Sequence, residues 1–177
     1  MGGSPEENWF PWLKEKLEEQ GHRVIAPQFP HADNPELQEW LEAFEPHTDL
    51  LKEDAILIGH SLGGAFALRI LERATQPIRA TFLVASVWGV MENEFDPLMA
   101  SFTAAPYDWP KIRENGGAMH VFHGENDPYI ALDKSQELTK NVKADVTLIP
   151  DGKHLNATAG FVEFSKLLDA VKSCLIG

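Results

Sequence analysis

The chain has 177 residues, 44% of them hydrophobic, with 15 Lys and Arg against 27 Asp and Glu, a formal charge of −12. That composition suits one domain with a sizeable core and fits neither a disordered nor a fibrous protein. The acidic balance argues against nucleic-acid binding, which needs clustered Lys and Arg, and no apolar run approaches the roughly 20 residues that span a bilayer.

In chain order, the opening MGGSPEENW has neither a basic stretch nor an apolar one of signal-peptide type, so a cytoplasmic protein is expected. Ser4, Pro5 and the acids after them read as a helix start, and Trp9, Trp12, Leu13 and Leu17 follow as an apolar stripe at helical spacing. Gly21 ends that helix. Residues 23–27 (RVIAP) read as a short strand, and 35–44 as a second helix with Leu37, Trp40, Leu41 and Phe44 on one face. The run 54–59 (DAILIG) is continuously apolar after its first residue, as in a strand buried on both faces. A helix is expected over 62–74, and strands over 80–85, 118–124 and 144–149. Further helices are expected over 132–141 and 157–174. Strands alternating with helices predict an α/β fold in three layers, with a mostly parallel sheet covered on both faces. The whole of 1–177 reads as one domain. Within it, 88–117 is irregular and rich in Trp, Phe, Met and Pro, and reads as a short lid or a substrate wall.

The chemistry concentrates in Gly59-His60-Ser61-Leu62-Gly63-Gly64. It fits G-x-S-x-G between a buried strand and a helix, the context in which a serine sits on a sharp, strained turn with its hydroxyl exposed. Gly59 and Gly63 are expected to remove side chains that would collide across that turn. The other reading is a glycine-rich turn with an incidental serine. A serine needs a histidine base, and the base needs a carboxylate to orient it. Asp127 follows the strand 118–124 in HGENDP, and His154 follows 144–149 in PDGKH. All three positions therefore follow C-terminal ends of parallel strands, where one site can gather them. Glu125, Asp133 and Asp151 are rival carboxylates, and Asp127 could instead be a turn cap. His120 reads as structural, His123 as a residue behind the site, His60 as packing beside the serine, and His22, His31 and His47 as surface or loop residues. No pattern points to a metal or another cofactor. The single Cys174 can form no internal disulfide.

On these residues, together with the early Asn8-Trp9-Phe10-Pro11-Trp12-Leu13 segment, the sequence resembles the small α/β hydrolases of the retinoblastoma-binding protein 9 and YdeN-like group. The resemblance covers nearly the whole chain. It implies an α/β-hydrolase fold and a serine hydrolase with Ser61 as nucleophile, Asp127 as acid and His154 as base. Its members open with an apolar strand ending in His-Gly, whereas this sequence starts past that point. The family's N-terminal strand is therefore expected to be missing, by a shortened chain or by natural loss. Of the two oxyanion donors, one is then expected at Leu62 and the other near Met1 or Gly2.

The expected reaction is hydrolysis of a small ester through an acyl-enzyme, faster as rising pH frees His154 of its proton. His60, Trp88, Val90, Met91, Phe95, Phe102 and Trp109 are candidates for the substrate pocket, unless these aromatics only cover the sheet. Acyl transfer or lactone hydrolysis could use the same three residues. A binding module that docks a protein partner without turnover is the alternative of another class.

Overall fold

The buried apolar runs become strands, and the amphipathic ones become helices. In the computed structural model, which describes residues 2–175, the order is α1 (Phe10–Glu18), α2 (Leu37–Phe44), a 3-10 turn (Glu45–Leu50), β1 (Ile56–His60) and α3 (Leu62–Arg73). There follow β2 (Ala80–Val84), α4 (Asp96–Thr103), α5 (Trp109–Asn115), β3 (Ala118–Gly124), α6 (Leu132–Val142), β4 (Val146–Ile149), a short 3-10 turn (Ala157–Ala159) and α7 (Ser165–Leu175). The strands form one parallel sheet in the order β1-β2-β3-β4.

Helices cover both faces, because β2 is buried along its whole length and presents apolar side chains alternately to each side. On one face Leu13 and Leu17 of α1 and Leu167, Leu168 and Val171 of α7 pack with Phe82, Val84 and Phe122. On the other, Leu68 and Leu71 of α3, Ile112 of α5 and Leu138 of α6 pack with Leu83 and Val121. An aromatic cluster continues this second layer, with Trp40 of α2 and Phe102 of α4 both edge-on to Phe66 of α3.

Several expectations need correction. No strand forms over 23–27: β1 carries its ladder to β2, and residues 23–27 make no ladder bond among the described residues. An extended segment gains stability by pairing, and this one has no partner strand among the described residues. For the same reason β1 is only half-buried at Ile56, Leu57 and Ile58, as an edge strand of the described sheet, and not enclosed on both faces. The first helix begins at Phe10, not near Ser4, because Asn8 adopts a left-handed φ of 55° just before it. The expected helix over 157–174 is divided. The Asn156 side chain caps a single turn by accepting from the Ala159 N–H at 3.0 Å, and Gly160 ends it in a left-handed conformation at φ 90°. α7 starts only at Ser165. The irregular 88–117 stretch contains two short helices, α4 and α5.

The register aligns the C-terminal ends of the strands. His60 pairs with Val84, Val84 with Phe122, and Gly124 with Ile149. The ladder then runs on into the loops: Ser61 N–H donates to the Val84 carbonyl, Ala85 N–H to Phe122, and Glu125 N–H to Ile149. The loops after β1, β3 and β4 therefore emerge along one edge.

Candidate active site

Ser61 stands between β1 and α3 at φ 54° and ψ −121°, a backbone conformation that an L-residue adopts only when its surroundings impose it. Its carbonyl accepts from both Gly64 N–H at 3.0 Å and Val87 N–H at 3.1 Å, which pins the turn from two sides. A Cβ at Gly59 would strike the Gly63 carbonyl, and one at Gly64 would strike the Ser86 side chain. Gly63 itself faces open space, so the crowding expected at Gly63 falls on Gly64 instead.

Asp127 comes from the turn after β3 and is fully enclosed at its side chain. Its Oδ1 accepts from the backbone N–H groups of Tyr129 at 2.9 Å and Ile130 at 3.1 Å. Its Oδ2 lies 2.8 Å from Nδ1 of His154, and Nε2 of His154 lies 3.0 Å from the Ser61 hydroxyl. With the buried carboxylate taking the Nδ1–H, Nε2 is left free to accept from the serine. The rival carboxylates are exposed. Asp133 accepts from the Lys134 N–H, Asp151 from the Asn126 side chain, and Glu125 faces solvent.

The remaining histidines divide as their surroundings dictate. His60, which precedes the serine, is partly buried. Its Nε2 donates to the His154 carbonyl at 2.9 Å, and its ring packs edge-on to Trp9 and Phe10. Burial first, and then the neighbouring His154, push its pKa down to about 4. His123, buried at the end of β3, is also held below the usual histidine range by burial, against an opposing pull from the Asp127 charge. His120 stacks flat on Phe82 at 4.5 Å with Cys174 Sγ 3.4 Å from its Nε2, and burial lowers its pKa too.

Leu62 begins α3, where the first N–H groups have no acceptor within the helix and the helix dipole favours negative charge. Gly2 N–H donates to the Ala32 carbonyl at 2.6 Å and so is engaged elsewhere, and Met1 lies outside the described residues. Among the pocket candidates, Phe102 is 0% exposed within the aromatic cluster and Met91 is buried, so both belong to the core. Trp88 packs on Trp109 and donates its indole N–H to the Lys134 carbonyl at 2.7 Å. Val90 is exposed. Phe95 sits edge-on to Tyr129, whose ring in turn stands edge-on to His154 with centroids 5.0 Å apart. Tyr129 escaped the sequence reading, and its only signal was its place two residues after Asp127.

The described residues hold no cluster of three or more His, Cys, Asp or Glu side chains placed to bind a metal, and no helix long and apolar enough to cross a membrane.

A family profile described as serine hydrolase matches residues 1–173. The chain belongs to the serine hydrolase family. It is 26% identical to YdeN of Bacillus subtilis (strain 168) over 168 residues, which are 94% of this chain and 87% of that one. The crystal structure of the B. subtilis ydeN gene product superposes with a TM-score of 0.93 at 25% identity, covering 99% of this chain and 95% of that one. A YdeN-like hydrolase from Pectobacterium atrosepticum matches with a TM-score of 0.74 at 20% identity, over 99% and 86% of the two chains. Est1E from Butyrivibrio proteoclasticus has the same TM-score at 17% identity, over 99% and 84%. The protein is thus a YdeN-like serine hydrolase with the α/β-hydrolase fold.

Proposed function

We propose that this serine hydrolase cleaves small carboxylic esters through a Ser61–His154–Asp127 triad and an acyl-enzyme. The observation that carries the reading is the unbroken chain of contacts from Ser61 Oγ to His154 Nε2 at 3.0 Å and from His154 Nδ1 to Asp127 Oδ2 at 2.8 Å.

In this mechanism His154 takes the hydroxyl proton as Ser61 attacks the ester carbonyl. Asp127 holds the tautomer that leaves Nε2 free and stabilises the imidazolium that forms. The Leu62 N–H, at the positive end of α3, stabilises the tetrahedral oxyanion. His154 then returns the proton to the leaving alcohol. Water then attacks the acyl carbonyl while His154 takes its proton, and His154 gives that proton to Ser61 Oγ as the acyl–oxygen bond breaks, releasing the acid and free Ser61. Tyr129 and Phe95 form one apolar side of the substrate space, which suits a short acyl or alkoxy group, and 88–117 acts as a wall. The single free thiol of Cys174 suits a reducing cytoplasm.

The test is labelling with a fluorophosphonate probe, comparing the parent with Ser61→Ala. Labelling that disappears in Ser61→Ala, together with hydrolysis of p-nitrophenyl acetate, is the expected result. A folded parent that neither labels nor turns over such esters would overturn the reading.

A further inference from the structure

The loop that carries His154 is bent in an unusual way. Asp151, Lys153 and Leu155 alternate with their neighbours in left-handed backbone conformations, at φ 49°, 46° and 50°, and none is glycine. Such a backbone persists only when its surroundings over-determine it.

The surroundings here are side chains from distant parts of the chain. Asn126 accepts from the Lys153 N–H at 2.8 Å and donates to the Asp151 carboxylate at 2.7 Å. Trp9 donates its indole N–H to the Leu155 carbonyl at 2.9 Å, and Asn8 accepts from the Ala157 N–H at 2.9 Å. The bond nearest the chemistry is made by His60, whose Nε2–H reaches the carbonyl of His154 itself at 2.9 Å. The His60 ring is in turn fixed edge-on against Trp9 and Phe10, each with centroids 5.9 Å away.

We infer that His60 is a positioning residue, which holds the His154 imidazole between Ser61 and Asp127 by donating a hydrogen bond to the His154 backbone. The inference rests on the triad reading above. The residue before the nucleophile and the backbone of the base are thereby joined directly. The serine hydroxyl and the imidazole that must meet it are set by one rigid contact rather than by two independent loops. A neutral ring with its proton on Nε2 serves this role, and burial, which lowers the His60 pKa to about 4, keeps it neutral near pH 7. Misplacement of a reacting group by about 1 Å can lower a rate about 100-fold, so even a small drift of His154 is costly.

The experiment compares His60→Phe, which keeps an aromatic ring against Trp9 and Phe10 but has no N–H, with His60→Gln, which restores a donor near the same place. Two readouts are taken on each folded protein: the fluorophosphonate labelling rate, and the downfield proton NMR signal of the His154 Nδ1–H bonded to Asp127. Labelling is expected to slow about 10–100-fold in His60→Phe, with the downfield signal lost or broadened. His60→Gln recovers both, while the melting temperatures of the two variants stay close. An unchanged rate and signal in His60→Phe would overturn the inference. So would equal losses in both variants, since the ring alone would then be what matters. If the parent shows no labelling that depends on Ser61, the ester-hydrolase reading fails by itself, and the NMR signal still decides whether His60 positions His154.

Discussion

Ser61 holds a conformation of a kind that costs about 1–3 kcal/mol, and its neighbours are chosen to make that conformation the only one available. Gly59 and Gly64 are where backbone and Ser86 press closest, while Gly63 borders open space. The pattern G-x-S-x-G therefore conceals two different glycines. Gly59→Ala should lower stability by about 1–3 kcal/mol, the usual cost of forcing atoms into a packed site. Gly63→Ala should be neutral or stabilising by up to about 1 kcal/mol, since it lies inside α3, where alanine is the better helix former. Urea unfolding of the two variants checks this, and equal destabilisation would contradict the packing seen here. At this scale the sequence was informative because the signals are local: a strand, a tight turn and a helix in immediate succession. It named Gly59 correctly but Gly63 in place of Gly64, because the second crowding comes from Ser86, beyond the helix.

Between elements, one buried cation fastens the segment joining α4 and α5 to the core. Arg69 of α3 is 4% exposed, and its guanidinium donates to the carbonyls of Phe102, Ala105 and Pro106 and to the Glu72 carboxylate. It also lies 3.7 Å from the centroid of the Tyr107 ring. A single side chain thus satisfies three backbone acceptors where α4 ends and the chain turns toward α5. Arg69→Met removes one partner of a buried pair and strips the Ala105 and Pro106 carbonyls of this donor, while Phe102 keeps the Tyr107 hydroxyl at 3.1 Å, at a cost of about 3 kcal/mol or more. Hydrogen exchange should quicken over residues 96–115 and much less in β2 and β3. Exchange that rises evenly across the protein would argue against a local bolt. Helices with a clear apolar stripe, such as α2 and α3, were legible from the sequence. The split of 157–174 was not, because its periodicity is interrupted only by Gly160, and an isolated glycine is often tolerated within a helix.

Across the molecule, burial of neutral histidines couples folding to pH. His60 stays unprotonated down to about 4 in the folded protein, whereas the ordinary value in an exposed chain is 6.5. Between those values the unfolded state binds more protons, so stability falls as pH drops from about 6.5 to about 4, and no further below that. The share from His60 is about 1.4 kcal/mol per pH unit, about 3 kcal/mol over the window. His120 and His123, also lowered by burial, steepen the same slope. Urea unfolding at pH 7 and pH 4.5 should show a smaller loss for His60→Phe than for the parent. Equal losses would mean that His60 does not titrate differently on folding.

The sequence by itself determined the alternation of strands and helices and pointed to the three loop positions, Ser61, Asp127 and His154, that the fold brings together. Each of these depends on neighbours within a few residues: an apolar run that makes a strand, and a turn rich in Gly, Asp or Pro that ends it. Only the tertiary structure decided what surrounds those positions. Trp9 meets the Leu155 carbonyl across 146 residues, and His60 meets the His154 carbonyl across 94. No local pattern encodes contacts of that span. The same holds for residues 23–27, whose β-type composition cannot supply a pairing partner, and for Phe102, whose hydrophobicity fits a pocket wall and a core equally well. A residue type constrains what a side chain can do, but its partners are set by which elements the packing brings together.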